Sequence, residues 1–106
     1  MWNEVFKSDG IKNNELKSVT VRGMPLLIAS INNNIYITDL YCTHEQTSLE
    51  EGFIDKCHVV CSNHFAEFDP KTGKAVAGPE GEEDSIKDLK SYRTKIENDT
   101  IMVDLP

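Results

Sequence analysis

Residues 42 to 64 read CTHEQTSLEEGFIDKCHVVCSNH and hold two short clusters, Cys42-Thr43-His44 and Cys61-Ser62-Asn63-His64, separated by the sixteen residues Glu45 to Val60. Two thiols and two imidazoles form a complete metal-binding set. Thiolate and imidazole together suit zinc, iron and iron-sulfur centres, so ligand type does not name the metal. Spacing says more. A single tetrahedral zinc usually draws its cysteines from one tight knuckle and its histidines from a separate pair. Here each cluster mixes one Cys with one His, which fits two metal ions better: each loop can give its thiolate to one ion and its imidazole to the other.

Outward from this stretch the chain alternates apolar and polar residues as half-buried strands do. Trp2 to Phe6 is a strand closed by Ser8-Asp9-Gly10, and Leu16 to Arg22 turns at Arg22-Gly23 into the apolar run Pro25 to Ile31. Asn32-Asn33-Asn34 tolerates left-handed backbone and leads into Ile35-Tyr36-Ile37, so the first forty residues read as a β-meander. After Asp39 the composition shifts to a polar loop with one helical turn before Gly52. Cys57 to Cys61 reads as a strand with His58 and Val60 on the face opposite Val59. Asp69-Pro70-Lys71-Thr72-Gly73 is a tight turn closing a hairpin between residues 66–68 and 74–76. Gly78 to Gly81 is loop, Glu82-Glu83-Asp84 an acidic run, and Tyr92 to Ile96 and Thr100 to Leu105 pair around Asn98-Asp99. With no long 3.6-residue period, the expected class is a small all-β sandwich or barrel of short antiparallel strands.

At 106 residues the chain is expected to be a single domain, 1–106, acting as a separate component. The start Met1-Trp2-Asn3-Glu4 shows no basic leader, and the longest apolar stretch, Pro25 to Ala29, is far below membrane-spanning length. An odd cysteine count, with two claimed by the clusters, fits a reducing compartment, so a soluble cytoplasmic monomer is expected. The net charge of −7 argues against nucleic acid as a partner. From Asp39 to Asp88 there are twelve Asp/Glu against four Lys, a balance of −8, while the remainder is +1. The acidity belongs to the metal-bearing half, as a solvated surface or as a docking face for a basic redox partner.

The pattern C-x-H, a spacer of this length, then C-x-x-H resembles the Rieske 2Fe-2S proteins, in which two His replace two Cys on one iron. Gly52, Phe68-Asp69, Thr72-Gly73-Lys74 and Gly78-Pro79 extend the likeness along nearly the whole chain. Two departures bear on loop geometry: Ser62 and Phe65 stand where the family commonly has Pro and Gly. The resemblance implies an antiparallel β-sandwich or barrel base with an inserted cluster-binding subdomain at about residues 40–79. It implies one 2Fe-2S cluster held by Cys42, His44, Cys61 and His64, and a covering loop at Pro79. High-potential members carry a serine and a tyrosine two and four residues after the second His, and a disulfide between the loops. Here those places hold Ala66 and Phe68, and Thr47 and Asn63, so the low-potential ferredoxin branch is implied.

Cys57 and His58 are decoys. In a continuous strand Cys57 and Cys61 would lie about 13 Å apart, out of reach of one metal. Cys57 is expected to be a packed thiol and His58 a surface or edge histidine. Tyr41, Phe65 and Phe68 are expected to pack around the cluster. No nucleophile, base and orienting group occur together, so no substrate chemistry is expected, and the resemblance implies electron transfer from a flavin-dependent reductase to a terminal oxygenase or other redox enzyme. The alternatives are the Rieske-like small subunit of a nitrite reductase and, in a different class, a zinc-stabilised binding module.

Overall fold

The computed structural model describes residues 1–42, 47–62, 65–77 and 87–106. Their eleven strands form three antiparallel sheets. The middle sheet is the meander of β2 (Glu15–Val21), β3 (Met24–Ile31) and β4 (Asn34–Asp39), with the short β9 (Ser91–Tyr92) added beside β4. One flanking sheet runs β1 (Trp2–Lys7), β11 (Thr100–Asp104), β10 (Thr94–Glu97). The other runs β5 (Phe53–Asp55), β6 (His58–Val60), β7 (Glu67–Phe68), β8 (Ala75–Ala77).

The apolar run of β3 explains the layering. A strand that alternates would bury one face, and six consecutive buried residues, Leu26 to Ile31, mean burial on both. Leu26 and Ile28 join Ile37, Ile101, Val103 and Leu105 in the core beneath the β1-β11-β10 sheet. Leu27, Ala29 and Ile31 enter a second core with Leu49, Val59, Phe68 and Leu89. At about 1.5–3 kcal/mol per buried large aliphatic side chain, β3 holds both cores to one middle layer.

Four hairpins close through two-residue turns whose central residues are both left-handed: Arg22-Gly23, Asn32-Asn33, Lys56-Cys57 and Asn98-Asp99. This backbone twist matches that of the flanking strands. Three of the four carry the Asn, Asp or Gly that the conformation favours. Lys56-Cys57 does not.

Three expectations are corrected and one strand is added. β1 is not part of the meander; it pairs with β11, from Trp2↔Asp104 to Lys7↔Thr100. Tyr92 does not continue into the last hairpin, because β9 pairs with β4 and the chain changes sheet at Arg93. Residues 53–55, to which the sequence reading gave no element, form β5. Cys57 is no strand residue and no packed thiol: it is exposed at a turn with φ 67°, and its Sγ accepts from Asn32 Nδ2 at 3.3 Å. Among the described residues no helix is long and apolar enough to cross a membrane.

Candidate metal centre

The two cysteine loops share one construction. Past β4, the Cys42 N–H donates to the Thr47 carbonyl at 2.8 Å, and the Leu49 N–H donates to the Leu40 carbonyl at 2.9 Å. Past β6, the Cys61 N–H donates to the Ala66 carbonyl, also at 2.8 Å. Each loop is therefore pinched at its base by a bond from the cysteine to the fifth residue on. Cys42 is 1% exposed and Cys61 0%, and both belong to the core cluster of Leu27, Leu49, Val59, Ala66 and Phe68. No disulfide involves any of the three cysteines. His44, His64 and Pro79 lie outside the described residues, as do Asn63 and the acidic run 82–84.

Neighbouring segments fix these bases. Leu49 opens a 3-10 turn, Leu49–Glu51, which is the helical turn expected before Gly52. The Glu50 carboxylate accepts the Ser18 N–H at 3.0 Å and the Ser18 hydroxyl at 2.8 Å, tying this turn to the free edge of β2. Gly52 is required by close approach: a Cβ there would stand 2.0 Å from the Val60 carbonyl oxygen, one residue before Cys61. The turn after β7 follows the sequence reading. Asp69 O accepts from the Gly73 N–H at 2.7 Å and Asp69 Oδ1 from the Lys71 N–H at 2.9 Å. Gly73 has φ 81° and its carbonyl takes the Leu89 N–H at 2.7 Å, so the returning chain is stitched to this sheet.

Two aromatic expectations fail. Phe68 is fully buried, but Tyr41 is 46% and Phe65 64% exposed. Phe65 has φ 59°, a left-handed conformation that costs a side-chain-bearing residue about 1–2 kcal/mol. The family's glycine at this place is explained by that φ, and the departure to Phe was the one sequence signal for it. The Phe65 ring meets Phe53 edge to face, with centroids 6.4 Å apart. Phe53 carried no signal, because β5 is only three residues long. His58 sits on the outer face of β6, opposite Val59 and Cys61, with Nδ1 3.6 Å from Glu67 Oε2, as a surface histidine should.

At the exit of β4, the Tyr92 hydroxyl donates to Asp39 Oδ1 at 2.6 Å. Burial, the hydrogen bond to Asp39 and its negative charge all push the Tyr92 pKa well above the ordinary tyrosine value.

The fold and the site thus define a small antiparallel β-protein that roots two pinched loops on buried thiols inside one apolar cluster, a donor set fitting a thiolate-ligated metal centre. The family model of the Rieske [2Fe-2S] domain matches residues 1–93, and the chain belongs to that family. It is 33% identical over 104 residues to the ferredoxin component of the naphthalene 1,2-dioxygenase system of Pseudomonas putida, covering 98% of this chain and 95% of that one. The solved Sphingomonas yanoikuyae B1 ferredoxin is 26% identical with a TM-score of 0.88, over all of both chains. A chain in the solved complex of reduced oxygenase and oxidized ferredoxin in carbazole 1,9a-dioxygenase is 23% identical, with a TM-score of 0.84 over 96% of this chain and 91% of that one. The protein is an electron carrier of the ferredoxin type, its cofactor is a Rieske 2Fe-2S cluster, and it is not itself an enzyme.

Proposed function

We propose that Cys42 and Cys61 ligate one iron of the cluster and His44 and His64 the other, within a subdomain of residues 40–79 inserted in a base made by the rest of the chain. The observation that carries this reading is the shared pinch of the two loops on buried thiols, each followed within three residues by a histidine. When bound, the cluster takes up and releases one electron at a time. The chain's part is to hold both sulfurs among apolar side chains, Leu49, Val59, Ala66 and Phe68, that keep water from them.

By likeness to the dioxygenase ferredoxins, the protein carries electrons from a flavin-dependent reductase to a terminal oxygenase. It works as a cytoplasmic monomer and meets its partners through the acidic face of the 39–88 half. The test is metal and sulfide analysis of anaerobically purified protein. Two irons and two sulfides per chain are expected, with a reduced-state EPR signal of low average g. Cys42→Ser and Cys61→Ser should lose the cluster, while Cys57→Ser, at the exposed turn, should keep it whole. Stoichiometric zinc in native protein refutes the reading, and so does full iron content in the Cys42→Ser variant.

A further inference from the structure

The third sheet has an outer face, turned away from the buried thiols, with an apolar centre that neither core takes up among the described residues. Directly opposed residues of an antiparallel pair share a face. The pairs Phe53↔Val60, Asp55↔His58 and Val60↔Glu67 therefore lie together on this one. Val60 is buried there, but Phe53 remains 45% exposed and carries the still more exposed Phe65 against it, with 63° between the ring planes. A lone exposed aromatic needs no explanation; two rings in contact, one on a left-handed backbone where glycine would be unstrained, form a patch that folding does not call for. The surroundings are acidic. Asp55 and Glu67 share the face, the exposed Glu51 lies two residues ahead of Phe53, and the half of the chain from 39 to 88 carries −8.

We propose that Phe53 and Phe65 are the apolar centre of the surface on which the electron-accepting oxygenase seats, through an apolar pocket rimmed by Lys and Arg. This rests on the ferredoxin reading and specifies the contact. Acidic rim residues steer a basic partner and set the orientation, whereas the desolvated aromatic centre supplies short-range affinity. Phe65 directly follows His64, so a partner seated on its ring lies one residue from the proposed imidazole ligand. Glycine at this place would leave the rim without its centre, which makes Phe65 a determinant of partner choice.

The experiment uses the holoprotein, reduced with dithionite, and the oxygenase component of the Pseudomonas putida naphthalene 1,2-dioxygenase as the acceptor probe. Stopped-flow transfer rates are followed against oxygenase concentration. Phe65→Gly and Phe53→Thr should each raise the half-saturation concentration at least fivefold, with most of the loss in that parameter rather than in the limiting rate, and Phe65→Tyr should stay within twofold of wild type. Phe65→Gly relieves the left-handed strain, so its urea midpoint should not fall and its visible spectrum should match wild type, which separates docking from folding. Saturation curves unchanged in both variants overturn the proposal while leaving the carrier function standing. Failure of the wild-type protein to reduce the oxygenase at all overturns the oxygenase reading itself. Sedimentation showing a wild-type dimer that Phe65→Gly dissociates places a second copy of this chain on the rings and also overturns the proposal.

Discussion

Ala66 and Phe68 are fully buried in the cluster that contains the Cys42 and Cys61 thiols, and neither can donate a hydrogen bond from its side chain. Ala66→Ser and Phe68→Tyr add one hydroxyl each at those places, and the Ala66 carbonyl that pinches the second loop is untouched by the change. A hydroxyl aimed at a cluster or cysteinyl sulfur stabilises the reduced, more negative state more than the oxidised one. A hydrogen bond to a charged group contributes about 1.5–3 kcal/mol. If about half of that distinguishes the two redox states, and one-electron transfer follows about 59 mV per tenfold, each donor raises the midpoint by about 30–65 mV. Starting from a wild-type value near the low end of the Rieske range of about −150 to +300 mV, the double variant should rise further. Full burial provides an internal check, since a buried hydroxyl without a partner costs about 1–3 kcal/mol. A hydroxyl that misses the sulfur therefore lowers the urea midpoint and leaves the potential alone; one that reaches it raises the potential and keeps most of the stability. Film voltammetry and urea titration of the same preparations separate the cases. Variants that keep their stability with an unmoved midpoint would refute the reasoning, as would a wild-type midpoint far above zero.

Gly52→Ala places a Cβ 2.0 Å from the Val60 carbonyl oxygen, where such contacts need about 3.3 Å. The strand ahead of Cys61 must shift, and a loss of about 3 kcal/mol with reduced iron content is expected in urea titration and metal analysis. Tyr92 has a folded pKa raised above its unfolded value, so its contribution is fully present below about pH 10 and is lost as pH rises beyond that. Tyr92→Phe should lower stability at neutral pH and flatten the alkaline loss, measured by urea midpoints from pH 7 to 11. Transfer to a basic partner should slow about tenfold or more as ionic strength rises from about 10 to 150 mM, because the Debye length shrinks from about 30 to 8 Å; a rate indifferent to salt would leave the acidic half as a solubility device.

Where neighbours in sequence are neighbours in space, the fold was legible. The β2-β3-β4 meander follows from the alternation of Leu16 to Arg22, the apolar run Pro25 to Ile31 and the strand-like Ile35-Tyr36-Ile37, broken by Arg22-Gly23 and Asn32-Asn33, and the last hairpin from Asn98-Asp99. The pairing of β1 with β11 joins the two ends of the chain, and no local periodicity reports such a contact. The split at Arg93 escaped for a related reason: Tyr92 and Thr94 both alternate correctly, yet they serve different sheets. β5 escaped because Phe53-Ile54-Asp55 is too short to show a period and Lys56-Cys57 lacks turn chemistry. The error over Cys57 follows directly, since a left-handed turn read as strand puts an exposed thiol in the interior.

For the candidate metal centre, residue types and spacing single out Cys42 and Cys61, and the reason the two are buried lies in the backbone. Both loops close by a bond from the cysteine N–H to the carbonyl five residues on, although the histidine follows at two positions in one and three in the other. The pinch holds each cysteine at the root, inside the apolar cluster, and leaves the histidine to the span between. It runs through the carbonyls of Thr47 and Ala66 rather than their side chains, although full burial in the apolar cluster still limits what can stand at Ala66. Proline is excluded at 42 and 61, where it would remove the donor. The same logic makes position 65 consequential: as the last residue before the second pinch closes, it must turn left-handed whatever its side chain, and a large ring there is carried outward to solvent beside Phe53. A substitution that reads in sequence as a fault in a glycine turn is, in three dimensions, a change to the outer surface.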